Sequence, residues 1–303
     1  MIRLLCLALL TSPLAIAQEA PANLQAAKEA LTAGDFQKAL EMLEAEAAKD
    51  DPAAHFRLGE IFLRGTPGIE ADPDRALFHL QSAAEFNSAE ASALLGDISK
   101  TKAEAANAKP ERDPHFTEAR IHYEKAATLN HPAAQLKLAY LLDSGNGGAK
   151  DPARAIILMK ASANSGHPPA MNELGLRYQQ GLGVPRDLVT SLGWFLAGAE
   201  RNNPAAMTNL GTCYARGIVV PPDHNKAGAW YARASKLNYA PAQYFLGEAF
   251  QKGHGTPANP VFAFVNFTRA ARANHSKAIA ALESLALSTV QKEEASKLLK
   301  ETP

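Results

Sequence analysis

Apolar residues recur along this chain at the spacing of a helix. In residues 167–202, for example, Ala170 and Leu174 stand four positions apart, which places them on one face of a helix. A glycine-rich turn follows, and after it comes a second apolar stripe. The pattern predicts two amphipathic helices joined by a short turn.

The same unit recurs along the chain, and a Leu-Gly pair inside its first helix marks the copies. The pairs are Leu58-Gly59, Leu95-Gly96, Leu174-Gly175, Leu210-Gly211 and Leu246-Gly247, with Leu138-Ala139 and Leu282-Glu283 as degenerate copies. Successive marker leucines are 37, 43, 36, 36, 36 and 36 residues apart. A period of this size, filled with helical patterning, predicts an all-α repeat array.

Glycine is an unfavourable residue in the middle of a helix, where it costs about 1 kcal/mol relative to alanine. Gly175, Gly211 and Gly247 nevertheless occupy the same interior position in three successive units. We therefore predict that these glycines allow close approach of the paired second helix.

Capping residues predict where the helices begin and end. Pro52 suits the first turn of a helix, Gly65 suits a helix end, and Asp72 suits an N-cap before the next helix. We expect a helical pair in residues 18–51 that caps the array, then about six and a half repeats in residues 52–287. A closing helix with a charged outer face is expected in residues 288–303.

One repeat is irregular, because residues 99–113 form an insertion without a glycine-rich turn. We expect its first helix to continue into the insertion, a polar loop at residues 110–113, and a second helix from Pro114 to about Leu129. Insertions in solenoids often mark a binding edge, but they also accumulate by neutral drift. The pattern leaves both interpretations open.

Residues 1–17 have the features of a secretory signal peptide. Arg3 is the charged side chain, residues 4–10 are apolar, and small residues precede a cleavage site between Ala17 and Gln18. The apolar run is too short to span a bilayer, and no later stretch approaches 18 apolar residues. We therefore expect an exported mature chain without an integral membrane span, either periplasmic or secreted.

Composition narrows the possible partners. The chain has 31 basic and 31 acidic side chains, so loss of Arg3 with the signal leaves 30 against 31, a net charge of −1. This balance gives no basis for a nucleic-acid partner or an anionic membrane surface. Cys213 is the one cysteine after the signal, which excludes an internal disulfide and favours a small buried side chain.

The repeat frame resembles that of the Sel-one-like repeat family, a subclass of tetratricopeptide-type solenoids. One unit carries the frame residues Ala170, Leu174, Gly175, Tyr178, Gly181, Gly183, Val184 and Asp187. The resemblance covers roughly residues 52–287. It implies a right-handed α/α superhelical solenoid of helix-turn-helix repeats, of a bacterial exported type. In such solenoids the first helices line the concave surface and the second helices form the outer wall.

Catalytic and phosphate-binding motifs do not fit this chain. The glycine-rich turns are not followed by Lys-Ser or Lys-Thr and follow no strand, which excludes a phosphate-binding loop. There is also no G-x-S-x-G sequence of the kind that presents a nucleophilic serine. We therefore predict no catalytic residue and no cofactor, and expect that the protein is not an enzyme.

Two sets of histidines are the remaining candidates for metal ligands. They are His131, His167 and His275, which share one position in their repeats, and His115 and His122, which share a helix face with Glu118. Packed helices lie about 8–10 Å apart, so equivalent residues of stacked repeats are too far apart to share an ion. The second set lacks the i, i+4 histidine pair of known zinc helices. We predict no metal site.

Exposed positions of the first helices lie one residue before the marker leucine and two residues after it. The predicted partner-binding residues are Arg57, Lys137, Glu173, Asn209 and Phe245 at the first position, Glu60, Tyr140, Leu176, Thr212 and Glu248 at the second, and the additional polar residues Asn172 and Thr208. This mixture of charged and apolar side chains suits a protein or peptide segment. We predict an exported protein–protein interaction scaffold, with its contact region near repeats three to six.

Three other functions stay open: a periplasmic inhibitor of a membrane sensor, a cell-wall-glycan binder, and an envelope hydrolase with an unrecognised site. Glycan binding would require exposed aromatic rings in a row along the groove, and only scattered ones are visible. A hydrolase would require clustered titratable groups in a cleft. The sequence leaves the oligomeric state open.

Overall fold

The computed structural model describes residues 22–301. This part of the chain contains sixteen α-helices, so the all-α prediction is confirmed. The predicted signal peptide, residues 1–17, lies outside the described residues. The described part of the chain divides after Ser92 into two compact units, residues 22–92 and residues 93–301.

The helices alternate as the first and second members of helix-turn-helix repeats. They are α1 Ala22–Ala33, α2 Phe36–Ala47, α3 Pro52–Arg64, α4 Pro73–Glu85, α5 Ala89–Ala105, α6 Lys109–Thr128, α7 Pro132–Ser144, α8 Pro152–Asn164, α9 Pro168–Gln180, α10 Leu188–Glu200, α11 Pro204–Arg216, α12 His224–Lys236, α13 Ala240–Lys252, α14 Pro260–Arg272, α15 Ser276–Ser284 and α16 Thr289–Glu301.

The first unit contains α1 to α4, and its helix boundaries follow the predicted caps. The side chain of Asp51 accepts a hydrogen bond from the Ala54 N–H at 2.8 Å, and Pro52 occupies the first turn of α3. Gly65 ends α3 with a positive φ of 68°. Asp72 caps α4, as predicted. The caps therefore fix the helix–turn–helix geometry of this unit.

The second unit consists of stacked helical pairs around a core of leucine, alanine and aromatic residues. Leu138 and Leu174 are fully buried, as expected for the marker position. A Cβ added to Gly175 would lie 2.4 Å from the Phe195 ring of the paired helix α10. The predicted reason for the marker glycine, close approach of the second helix, is therefore confirmed.

The expected polar loop at residues 110–113 is wrong. Helix α5 does continue to Ala105, but the connection comprises only residues 106–108, and α6 already begins at Lys109. Pro110 fits the first turn of α6, where backbone N–H groups have no intrahelical partner. Pro114 removes a single hydrogen bond one turn later, so the helix continues through it.

The last described helix, α16, packs on the second helix α14 of the same unit. Ala295 of α16 contacts Val261 and Val265 of α14, and all three side chains are buried. Lys292 and Glu293 lie on the exposed side of α16. The helix thus covers an apolar patch and presents charges to solvent.

Candidate partner-binding surface

Several of the predicted residues connect neighbouring first helices of the second unit. The Lys137 Nζ of α7 lies 2.6 Å from Oδ1 of Asp97 in α5. The Tyr123 hydroxyl donates to the same carboxylate at 2.7 Å, and the Lys137 ammonium lies 5.8 Å from the centre of the Tyr123 ring. Lys137 therefore joins two repeats and is partly buried by this contact.

Arg177 makes the corresponding connection between α7 and α9. Its Nη2 lies 2.7 Å from Oδ2 of Asp143, and its Nε lies 2.8 Å from Oε1 of Glu173. Only 11% of the Arg177 side chain is exposed. Hydrogen bonds to Asp143 and Glu173 raise the pKa of the guanidinium, so it stays charged between the two carboxylates.

Tyr140 extends this network to the solvent. Its hydroxyl donates to Oε2 of Glu173 at 3.4 Å, while 42% of the residue is exposed. Partial burial and the carboxylate of Glu173 raise the pKa of Tyr140 to about 12. The phenol therefore keeps its proton at neutral pH and presents an exposed ring beside a charged pair.

A further connection joins α9 to α11, where the Asn209 side-chain amide donates to Oδ1 of Asn172 at 2.8 Å. Two other predicted residues are less accessible than expected. Thr208 is 4% exposed and its hydroxyl donates to the Pro204 carbonyl at 2.7 Å. Leu176 is partly buried against the core. Thr208 is therefore buried and is not part of an exposed surface.

The remaining predicted residues of this unit, Thr212, Phe245 and Glu248, line a cavity of about 350 Å³ between α11, α12 and α13. The Phe245 ring stacks on the Tyr231 ring with centroids 5.2 Å apart. Glu248 accepts a hydrogen bond from Lys252 at 2.7 Å. Three residues selected by their spacing therefore meet in one cavity.

Arg57 and Glu60 belong to the first unit and form an ion pair on α3. Both line a separate cavity of about 580 Å³, whose apolar side includes Leu24, Leu31 and Ile61. An i, i+3 pair on an exposed helix face is a weak interaction. These two residues lie near each other and near an apolar groove of their own unit.

Arg177 is the main residue of this network that lies outside the two exposed positions used for the prediction. Its place in the repeat nevertheless distinguished it. It stands three residues after its marker leucine, where the other regular units have Leu141, Cys213 and Ala249, all buried. A charged residue at a position that is apolar in the other repeats indicates that an oppositely charged side chain lies beside it. The partner Asp143 could not be identified in the same way, because it comes from the neighbouring repeat.

The histidines that share one repeat position are helix caps. Nδ1 of His131 accepts a hydrogen bond from the Ala134 N–H, and Nδ1 of His275 accepts one from Ala278. His167 occupies the same position without a side-chain cap bond. In residues 22–301, no three His, Cys, Asp or Glu side chains are grouped as metal ligands would be.

Helix length and apolarity also bear on membrane insertion. Within the described part of the chain, no helix combines the length and the apolar character that crossing a membrane requires.

Comparisons with known proteins agree with the repeat geometry. The Sel1 repeat family model matches residues 52–85, 111–131, 132–167, 168–203, 204–239 and 240–275. A Sel1 repeat protein from Oxalobacter formigenes has a crystal structure with a TM-score of 0.71 and 26% identity, covering 87% of this chain and 75% of that chain. No curated protein matches the chain.

Two further solved structures are similar at lower scores. A protective antigen of uropathogenic Escherichia coli with an SLR fold has a TM-score of 0.40 and 19% identity, covering 88% of this chain and 71% of that chain. An immunity protein from Pseudomonas aeruginosa has a TM-score of 0.47 and 17% identity, covering 74% of this chain and 82% of that chain.

Sel1 repeat proteins are protein–protein interaction scaffolds and are typically non-catalytic. The segments matched by the family model account for more than half of the chain, and each regular one coincides with one first helix and one second helix. By sequence and by fold, the chain belongs to the Sel1 repeat family.

Proposed function

We propose that this chain is an exported scaffold that binds a segment of a partner protein across the first helices α7, α9, α11 and α13. We call the exposed side of these helices the first-helix face. The observation that carries the proposal is the series of side-chain connections between successive first helices. Lys137, Arg177 and Asn209 each join one repeat to its neighbour.

These connections prepare the face for binding. A flexible lysine or arginine normally loses about 0.5–1.5 kcal/mol of side-chain freedom when a partner immobilises it. Here the ion pairs of Lys137 and Arg177 already restrict both side chains. A partner segment that contacts this face therefore meets a surface that is largely ordered in advance.

The chemistry of the face favours a protein segment. It combines both signs of charge with the exposed ring of Tyr140, a residue type enriched at protein interfaces. The glycan-binding alternative has less support, since Tyr178, Tyr214 and Phe245 of the same helices are partly buried. Export rests on the signal-like residues 1–17, and periplasmic regulation of a membrane sensor is one form that such a scaffold would take.

Site-specific photocrosslinking in cells tests the proposal. A photoreactive benzoyl-phenylalanine replaces Tyr140, and the matched control places it at Phe262, an aromatic residue of similar exposure on the second helix α14 (42% and 40%). We expect a covalent adduct with a partner protein at position 140 and none at position 262. In the same envelope extract, we expect the mature chain to begin at Gln18.

Two outcomes would count against this function. Equal adduct yields at the two positions would show that the first-helix face has no preference for partners. Unchanged partner capture after Tyr140→Ala, with an unaltered helical circular dichroism spectrum, would lead to the same conclusion.

A further inference from the structure

The cavity between α11, α12 and α13 exists because one repeat lacks a large side chain. The fifth residue after the N-cap of each regular second helix is Ile156 in α8, Leu192 in α10 and Phe264 in α14, but Gly228 in α12. A Cβ added to Gly228 would meet no atom within 4 Å. The space that other repeats fill with their own side chain is therefore open here.

The cavity has an apolar floor. The stacked rings of Tyr231 and Phe245 form part of the lining, together with Ala227 and Ala249. Its volume of about 350 Å³ is at the lower end of the range for small-ligand pockets. This space suits one or two side chains of a bound segment.

The charged residues of the lining favour an anionic group. Lys252 and Glu248 neutralise each other through their 2.7 Å ion pair. Arg216 also lines the cavity, and among the described residues it has no ion-pair partner. The rings of His224 and His254 stack at a centroid distance of 4.6 Å and add no negative charge. The unbalanced charge of the lining is thus that of the Arg216 guanidinium.

We propose that this cavity is the anchor site of the first-helix face and that it binds an acidic side chain next to an apolar one in the partner segment. The inference rests on the proposed scaffold function and specifies the chemistry of its partner. The acidic carboxylate pairs with Arg216, whose fork of N–H donors matches a carboxylate. The neighbouring apolar side chain packs against Phe245 in the space left by Gly228.

The probes for the test are three fluorescein-labelled octapeptides with blocked ends. In each peptide, leucine alternates with glutamate, glutamine or lysine. Binding is measured by fluorescence polarisation, with this protein titrated up to about 1 mM. We expect the glutamate peptide to bind about tenfold more tightly than its glutamine twin, because a charge-assisted hydrogen bond replaces a neutral one. The lysine peptide should bind most weakly.

Two variants locate the binding in this cavity. Gly228→Leu fills it, and we expect it to weaken glutamate-peptide binding at least about tenfold. Gly193→Leu is the matched control, since Gly193 of α10 also faces open space but lies outside the cavity. Arg216→Gln should remove the preference for glutamate over glutamine while leaving glutamine-peptide binding unchanged.

Three results would overturn the inference. They are undiminished binding by Gly228→Leu, a glutamate preference that survives Arg216→Gln, and the absence of binding by every peptide. The crosslinking at position 140 separates this inference from the general function. If the adduct forms while the peptides fail, the scaffold stands and the anchor site does not.

Discussion

At the scale of single residues, the marker glycine shows how packing can override helix propensity. Gly175 lies inside α9, where alanine would be the better helix former. The ring of Phe195 occupies the space that a Cβ would need, and Phe195 is fully buried, so the ring has no room to move away. The glycine is kept because it lets two helices approach each other.

A pair of alanine substitutions tests this explanation. Gly175→Ala should destabilise the protein by about 1–3 kcal/mol through overpacking against Phe195. Gly193→Ala, in the open space on α10, should stabilise it by about 0.5–1 kcal/mol through helix propensity alone. Urea unfolding followed by circular dichroism measures both values, and shifts of the same sign would contradict the packing argument.

Residue-level predictions succeeded where one repeat could be compared with the next. The partner-binding role expected for Lys137, Tyr140 and Asn209 stays a prediction. The spacing identified Gly175 and its packing role. It did not identify Asp143 as the partner of Arg177, because the two side chains come from different repeats and their reach depends on how the helices stack. The open space beside Gly228 could not be predicted for the same reason, because it depends on how the helices of neighbouring repeats pack.

At the scale of elements, the first helices begin with a shared capping geometry that tolerates different residues. Asp51, His131, Asn203 and His275 each accept a hydrogen bond from the backbone N–H three residues later. An imidazole nitrogen thus replaces a carboxylate or amide oxygen at this position. Alignment of the copies indicated a common position for the histidines, and the cap hydrogen bond explains why they share it.

The capping bond should contribute measurably to stability. Asn203→Ala removes a 2.8 Å bond to the Ala206 N–H and should cost about 1 kcal/mol. His167→Ala serves as the comparison, because His167 occupies the same position without a cap bond. We expect a loss below about 0.5 kcal/mol for that variant. Equal losses in chemical denaturation would show that the cap bond is not the cause.

The elements that the sequence predicted poorly are α5 and α6. Alanine, lysine and glutamate suit a helix throughout residues 99–113, and no glycine marks its end. Pro110 fits a loop and the first turn of a helix equally well, so its presence did not decide between them. The regular units carried glycine and aspartate at fixed places, and their boundaries were predictable for that reason.

At the scale of the whole molecule, several histidines link folding to pH. Burial, with the nearby charges of His55 and Arg75, lowers the pKa of His79 to about 4. Burial also lowers the pKa of His122, His167 and His275. Because these groups bind protons more readily when unfolded, the unfolded chain takes up more protons as the pH falls below about 6.5. The free energy of unfolding therefore decreases in that direction.

Thermal unfolding at pH 7, 6 and 5 tests this dependence. We expect the midpoint to fall as the pH is lowered, with His79 contributing at most about 3 kcal/mol between pH 6.5 and 4. His79→Gln should reduce the loss, because it removes the imidazole whose pKa burial lowers. A midpoint that rises toward pH 5 would contradict the assigned sign.

The buried side chain of Cys213 has a practical consequence. The residue is 2% exposed, and burial raises the pKa of its thiol, so it is protected from aqueous reagents while α11 is packed. A disulfide reagent reaches it only when this part of the array opens locally. The rate at which the reagent modifies Cys213 under native conditions thus reports the local opening of α11, beside the cavity, without an engineered cysteine. A ligand that holds α11 and α13 together should slow that reaction in proportion to its occupancy.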